Sequence, residues 1–328
     1  MAATESVSTD TRRRRGVLRA LLSPIRETSG LARWILLTGM FITAFFLVLA
    51  IFAPWIAPYG FDQVEANGVE FPETAPPSDE HWFGTNVMEY DVLSRVIWGA
   101  RTAIEVVILA IVLSLAIGVP LGLVSGYIGG WLDRVLVLVM DALFVFPSLL
   151  LAIVAGFLFS NVAGGSIVSA ALSITVIYIP QYFRVVRNTT VSAREATYVE
   201  AANAIGAPRR TVMARYVFPN VVQSVPVIGT LNAADAISTL AALGFLGLGI
   251  QPGDAAEWGY DLQRAIEDVD AGIWWTALYP GLALTLLITG LTLVGEGLNE
   301  TINPTLRKRR LRKVTLPPRQ PETAEEAK

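Results

Sequence analysis

Cysteine is absent from all 328 residues, and histidine occurs once, as His81. The first absence excludes a disulfide framework, a thiolate metal site and a cysteine nucleophile. The second makes an imidazole-based zinc site or a histidine-containing triad hard to build. Charge is also scarce: 16% of the residues are Asp, Glu, Lys or Arg, against about 25% in soluble domains. No Gly-x-x-x-x-Gly-Lys-Ser/Thr phosphate loop occurs, and the glycine run from Gly244 to Gly249 has no lysine. Energy for any work this chain does must come from a partner.

What is present in quantity is apolar surface. Hydrophobic residues make up 53% of the chain, and mean hydropathy is +0.52. A helix needs about 20 apolar residues to cross the hydrocarbon core. Six stretches meet this length, giving an all-α integral membrane protein. They run from Trp34 to Ile56, Thr102 to Val124, Val135 to Phe157, Ser166 to Val185, Val221 to Gly249 and Trp274 to Leu298.

Orientation follows from the placement of Lys and Arg. Arg12, Arg13, Arg14, Arg15, Arg19, Arg26 and Arg33 precede the first span, and Arg307, Lys308, Arg309, Arg310, Arg312 and Lys313 follow the last. Arg187, Arg194, Arg209, Arg210 and Arg215 lie between spans four and five. The segment 57–101 is acidic instead, with Asp62, Glu65, Glu70, Glu73, Asp79, Glu80, Glu89 and Asp91 against Arg95 and Arg101. So is the stretch before span six, with Asp254, Glu257, Asp261, Glu267, Asp268 and Asp270. An even number of spans puts both termini on one side, and the charge makes that side the cytoplasm. The first stretch exceeds a signal-peptide core and ends in Pro54 and Pro58 rather than a small-x-small site, so it reads as an uncleaved span. The arginine run before it orients the chain and attracts anionic lipid; it does not read as a nucleic-acid site.

The organisation expected is a basic cytoplasmic tail (1–33), a first transmembrane helix (34–56), an external loop (57–101), a five-helix core (102–300) and a basic cytoplasmic tail (301–328). Within the core, the cytoplasmic loop 187–220 is long for a connector and is not low in complexity. Tyr198 to Ala204 suits a short helix with small residues on one face, where another protein can approach closely. Gly206 permits a turn that a residue with a Cβ resists, Pro208 fits the start of a second helix, and Pro219 breaks the pattern before span five. Taken alone, this helix–turn–helix is also compatible with an interfacial element that has no partner.

Glu200-Ala201-Ala202, then Gly206, then Phe218-Pro219 resembles the EAA loop of binding-protein-dependent ABC importer permeases. Further blocks extend the resemblance from Ile35 to Pro304, and they are similar to the C-type subunit of the dipeptide/oligopeptide/nickel family. These blocks are Phe52 to Tyr59, His81 to Thr85, Asp91 to Arg95, Gly99 to Arg101, Gly126 to Trp131, Phe146-Pro147 and Phe245 to Gly249. The chain departs from the family pattern at Asn86, at Glu89-Tyr90-Asp91, at Leu240 and at Tyr216, chiefly on the external or pore side. The resemblance implies a type I importer permease fold in a prokaryotic plasma (inner) membrane. It implies that Glu200, Ala201, Ala202, Gly206 and Pro219 couple the chain to an ATPase. It also implies the partners: two ABC ATPase subunits that bind ATP and magnesium, a homologous second permease subunit in a heterodimer, and an extracytoplasmic solute-binding protein. This chain itself holds no cofactor and no catalytic site. The expected cargo is a di- or oligopeptide, with a nickel chelate or another small solute as the alternative.

Asp141 and Asp235 fall inside spans, where a lone carboxylate among lipid tails is costly. Each is either part of a translocation path attractive to a peptide amino terminus or the acceptor of an interhelical hydrogen bond. The second reading suits Asp141 better, while both stay open for Asp235. Glu105 and Glu296 lie nearer span ends. His81, with scattered carboxylates, is a weak ligand set and reads as a structural contact under the external loop. Trp34, Trp55, Trp98, Trp258, Trp274 and Trp275 read as an interfacial belt. The rival class is an ion-coupled secondary transporter, which normally has more spans in repeated halves; no repeat is evident here.

Overall fold

The computed structural model describes residues 31–160 and 165–302. The basic clusters at 12–26 and 307–313 therefore lie outside the described residues. Helix α1 (Leu31–Ile56) leads into a segment with a hairpin of two-residue strands, β1 (Glu65–Ala66) and β2 (Val69–Glu70). Asn67 and Gly68 both take positive φ at its tip, as the tight turn between twisted strands requires. There follow α2 (Val92–Ile128), α3 (Gly130–Val145), α4 (Ser148–Phe159) and α5 (Gly165–Arg194). The connector after α5 holds α6 (Thr197–Ala204), α7 (Arg209–Val212), a π turn (Met213–Val217) and α8 (Phe218–Val221). The chain ends with α9 (Val225–Phe245), α10 (Trp258–Asp270) and α11 (Trp275–Ile302).

Five of these helices are long and apolar enough to cross a membrane; α3 and α4 qualify only together and are bent 102° from one another. The packing of α2 on α5 fixes how that pair must be counted. Ser114 Oγ reaches Thr175 O, Gly118 packs on Tyr182, Gly122 on Phe183 and Val186, and Gly126 on Arg187 and Thr190. Both helices advance in the same direction, so they are parallel. The connection between them has to return to the starting side, and α3 with α4 therefore makes one crossing. Six crossings result, as the hydropathy predicts.

The expected continuous third span from Val135 to Phe157 is replaced by this broken one. Pro147 has no N–H to continue the ladder and holds Phe146 out of the helical region (φ -67, ψ 136). Other boundaries also move. Helix α2 starts at Val92, not Thr102, because the Asp91 carboxylate caps it by accepting the Ser94 N–H at 2.7 Å. The last ten residues of the expected external loop 57–101 are thus helical. Likewise α5 runs on to Arg194, so the first residues of the expected loop 187–220 belong to a spanning helix. Pro219 does not break the chain either: it sits in the first turn of α8, just after the π turn, where a proline is tolerated.

The α2–α5 interface is built on glycine. Gly118, Gly122 and Gly126 stand at successive i, i+4 positions, and a Cβ on them would lie 2.9, 2.6 and 2.7 Å from the carbonyl oxygens of Ile179, Phe183 and Arg187. Without side chains the backbones close on each other, which is how helices gain contact where apolar burial supplies no drive. Helix α1 runs antiparallel to α11 on the same device, Gly39 against Leu293 and Val294, Gly290 against Ile42 and Gly297 against Leu36.

Two apolar clusters result. The larger threads α2, α5, α9, α10 and α11 and includes Tyr178, Ile237, Leu240, Trp258 and Leu287. The smaller joins Leu123 and Val186 at the ends of α2 and α5 to Val199, Ala202, Val212, Val217, Val221 and Val225. Trp258 and Trp275 belong to the larger cluster, at 2% and 9% exposure, and not to an interfacial belt. Gly99 provides the space for the Trp258 ring, whose Nε1 donates to Val96 O at 3.2 Å. Trp34, Trp55 and Trp274 remain exposed.

Candidate functional site

Helix α6 divides the Glu-Ala-Ala motif by face. Val199 and Ala202 are buried in the smaller cluster, whereas Glu200, Ala201, Asn203 and Ala204 are exposed. Beyond them Ile205 stands 82% exposed, an apolar side chain offered to whatever lies outside. Three bonds close the helix: Ile205 N to Ala201 O, Gly206 N to Asn203 O and Ala207 N to Ala202 O. With Gly206 at φ +81, the last two form the paired C-terminal closure that a left-handed residue makes possible. No atom lies within 4 Å of a Cβ built on Gly206, so backbone conformation alone selects glycine there. Pro208 then precedes α7, its carbonyl accepting Thr211 N and Val212 N. Pro219 is exposed between the buried Val217 and Val221. The helix–turn–helix expected from the sequence is present, but Ala202 is an anchor while Glu200, Ala201 and Ile205 form the outer surface. Ile205 was missed; a large apolar residue just before the turn glycine was the available signal.

The platform beneath α6 is tied together by charge. Arg187 grips both oxygens of Asp133 (Nε–Oδ1 2.6 Å, Nη2–Oδ2 2.7 Å), and Ser125 Oγ donates to the same carboxylate. Arg194 Nη1 donates to the carbonyls of Gly126 and Tyr127. The α2–α3 turn is thereby fixed to the last turns of α5, next to the start of α6.

Asp141 and Asp235 are not brought together; each is held separately by α5. Arg184 Nη2 lies 2.7 Å from Asp141 Oδ1, and the guanidinium sits 3.9 Å over the Phe144 ring. Tyr178 donates its hydroxyl to Asp235 Oδ2 at 2.8 Å. Tyr178 is fully buried while the Asp235 side is exposed. The interhelical bond expected at Asp141 is present, as an ion pair. The pairing of Arg184 with Asp141 across 43 positions was not legible in the chain. Glu105 pairs with Arg101 one turn earlier.

At the opposite end of the bundle a second buried network stands apart from the α6 surface. Arg95, 2% exposed, reaches Asp261 through Nε and Nη2 and the carbonyls of Phe61 and Pro252 through Nη1. His81 Nδ1 is 3.0 Å from Asp91 Oδ1, and its ring packs in a mutual cluster with those of Tyr59 and Phe71. Glu257 caps α10 by accepting Gly259 N and Tyr260 N. One guanidinium thus fastens α2, the 57–91 segment and the α9–α10 loop into one piece.

Residues 118–308, which include all of α6 and its platform, match the family described as binding-protein-dependent transport system inner membrane component. Residues 33–77 match the N-terminal TM domain of oligopeptide transport permease C. The glutathione transport system permease protein GsiD of Shigella flexneri serotype 5b (strain 8401) is 36% identical over 275 residues, 83% of this chain and 86% of the relative. GsiD of Escherichia coli O157:H7 is 35% identical over the same length.

Proposed function

The chain belongs to the family of binding-protein-dependent transport system inner membrane components, as a permease subunit of an ABC importer, and on that premise we propose that it passes di- or oligopeptides across a plasma membrane under the drive of separate ATPase subunits. Two ATPase subunits bind ATP and magnesium, a homologous permease completes the channel, and an extracytoplasmic binding protein delivers the cargo. Both termini face the cytoplasm. ATP closure of the ATPase pair draws the docking helices together and opens the spans outward; hydrolysis resets them inward. Docking transmits this change only if its free energy differs between the two states.

The observation that supports the coupling role is the two-faced build of α6: Val199 and Ala202 locked to the ends of α2 and α5, with Glu200, Ala201 and Ile205 presented outward. A push on the outer face is borne by the spanning helices themselves. The peptide reading draws on the relatives, since glutathione is a tripeptide and the matched N-terminal domain is that of an oligopeptide permease.

The test is reconstitution of the complex with Glu200→Lys and Ile205→Asp variants. Both are expected to lose co-purification with the ATPase and substrate-stimulated ATP turnover, while the permease still inserts. Variants that assemble and turn over like the wild type would falsify the docking role. Uptake of a labelled dipeptide, compared with a nickel chelate, decides the cargo.

A further inference from the structure

We propose that the external mouth of α2 carries a subsite for the charged ends of a zwitterionic substrate, formed by Arg101, Glu105 and Asp254 against a wall of Trp98 and Phe61. The proposal rests on the peptide reading above and names where such a cargo is first held by this chain. These residues line an open cavity of about 270 Å3 between α2, the start of α5 and the α9–α10 loop. That volume is close to the lower end of small-molecule sites, roughly 300 Å3, and suits the end of a short peptide.

Both signs of charge are at hand and only partly committed. Arg101 donates its Nε to Glu105 Oε1 at 2.8 Å, and its two terminal nitrogens make no hydrogen bond among the described residues. The two side chains are 38% and 44% exposed. Asp254 is exposed and joins no ion pair among the described residues. A guanidinium fork matches a carboxylate, and the two acids suit an ammonium group. When the cavity is empty, Arg101 and Glu105 neutralise each other. When a zwitterion enters, each exchanges its partner for a substrate group of that partner's sign, and the balance of charge is kept. The Arg101 guanidinium also lies 5.8 Å from the Trp98 ring, a cation–π contact that keeps it at the wall.

The wall itself is rigid. Trp98 Nε1 donates to Tyr59 O at 3.1 Å, and its ring meets Phe61 edge-on at 5.9 Å. The Phe61 carbonyl and the Pro252 carbonyl, on the two loops that flank the cavity, are both held by the buried Arg95. Flat aromatic faces next to paired charges fit a peptide end with an apolar side chain. A phosphatidylethanolamine headgroup presents the same pair of charges. Two of the walls, however, come from water-facing loops (Phe61 and 254–256) and not from the helix faces that lipid covers, and this favours the dissolved zwitterion.

The full complex, reconstituted in vesicles, is to be assayed for uptake of alanyl-phenylalanine, its N-acetyl form and its C-terminal amide. Arg101→Gln is expected to raise KM for the free dipeptide about fivefold, the size of a half-exposed charge-assisted contact, and to leave KM for the amide unchanged. Glu105→Gln with Asp254→Asn should act on the free peptide and spare the N-acetyl form. Arg101→Lys should restore part of the loss. Equal effects on all three substrates, or no effect, would overturn the subsite while leaving the peptide reading intact. Effects that vanish in vesicles lacking phosphatidylethanolamine would assign the site to a headgroup and overturn it too. A wild-type complex that takes up none of the three overturns the peptide reading and the subsite with it.

Discussion

A carboxylate taken out of water loses solvation that only paired donors can replace. Glu257 is 3% exposed and spends each oxygen on a backbone donor, Oε1 on Gly259 N at 2.8 Å and Oε2 on Tyr260 N at 2.7 Å. It lies directly against Gly244, where any side chain would overlap Oε2. Burial pushes the Glu257 carboxyl from its ordinary 4.5 up to about 8; the two N–H donors pull it down, Asp261 adds to the rise and Arg95 opposes it. The folded value lies above the unfolded one, so between those pH values the native state keeps a proton that the unfolded chain has lost. The stabilisation is full below pH 4.5 and is lost as pH rises through about 8. The denaturation midpoint of the detergent-solubilised protein should therefore fall across this window, and Glu257→Gln should flatten that part of the profile. An unchanged slope in the Gln variant would show that another group sets it.

At the scale of elements, the glycine ladder of α2 makes the sharpest demand. A Cβ at Gly122 would come within 2.6 Å of Phe183 O and 3.1 Å of Arg187 N, both backbone atoms of the neighbouring helix, and 3.0 Å of Val186 Cβ. Gly122→Val should force α2 and α5 apart, at a cost of about 1–3 kcal/mol, and lower the thermal midpoint and yield of folded protein. Gly156→Ala is the control, since its nearest neighbour is Ser173 Oγ at an ordinary 3.7 Å. Equal behaviour of the two variants would remove the ladder from the list of what holds the bundle.

These elements differ in how far the chain announces them. The spanning stretches were legible because about 20 apolar residues have few other uses. The start of α2 at Val92 was not, because its first three turns are mixed in polarity and are held by tertiary bonds from Arg95 and Ser94. Pro147 was visible but reads as a tolerated residue within a span until the geometry of α5 requires a corner. Helix α10 was hidden by its acids: Glu257 and Asp261 look like loop charge, yet one is a cap and the other a partner of Arg95. In the candidate site, the Glu200 to Gly206 block and the turn were legible from residue type. The split between a buried Ala202 and an exposed Ile205 depends on Val212 and Val217 folding back beneath α6, which spacing alone does not reveal.

Across the whole molecule, charge and crossings agree on one arrangement. Helices α2 and α5 end, and α9 begins, at the α6 end of the bundle, where Arg194, Arg209, Arg210 and Arg215 gather. The other end holds the acidic segment 57–91 and α10. Gly297 on α11 packs against Leu36 on α1, so the described chain enters and leaves at a common end, as six crossings require. On the orientation we propose, basic loops stay on the cytoplasmic side, with α6 inside and the 57–91 segment outside. The lack of any cysteine makes this directly testable with single substitutions and a membrane-impermeant thiol reagent. Asp79→Cys, exposed on the 57–91 segment, should react in intact cells. Asn203→Cys, on the outer face of α6, should react only after permeabilisation, and less when the ATPase subunits are bound than when the permease is expressed alone. Labelling of Asn203→Cys in intact cells would invert the topology, and with it any docking of a cytoplasmic ATPase on this helix.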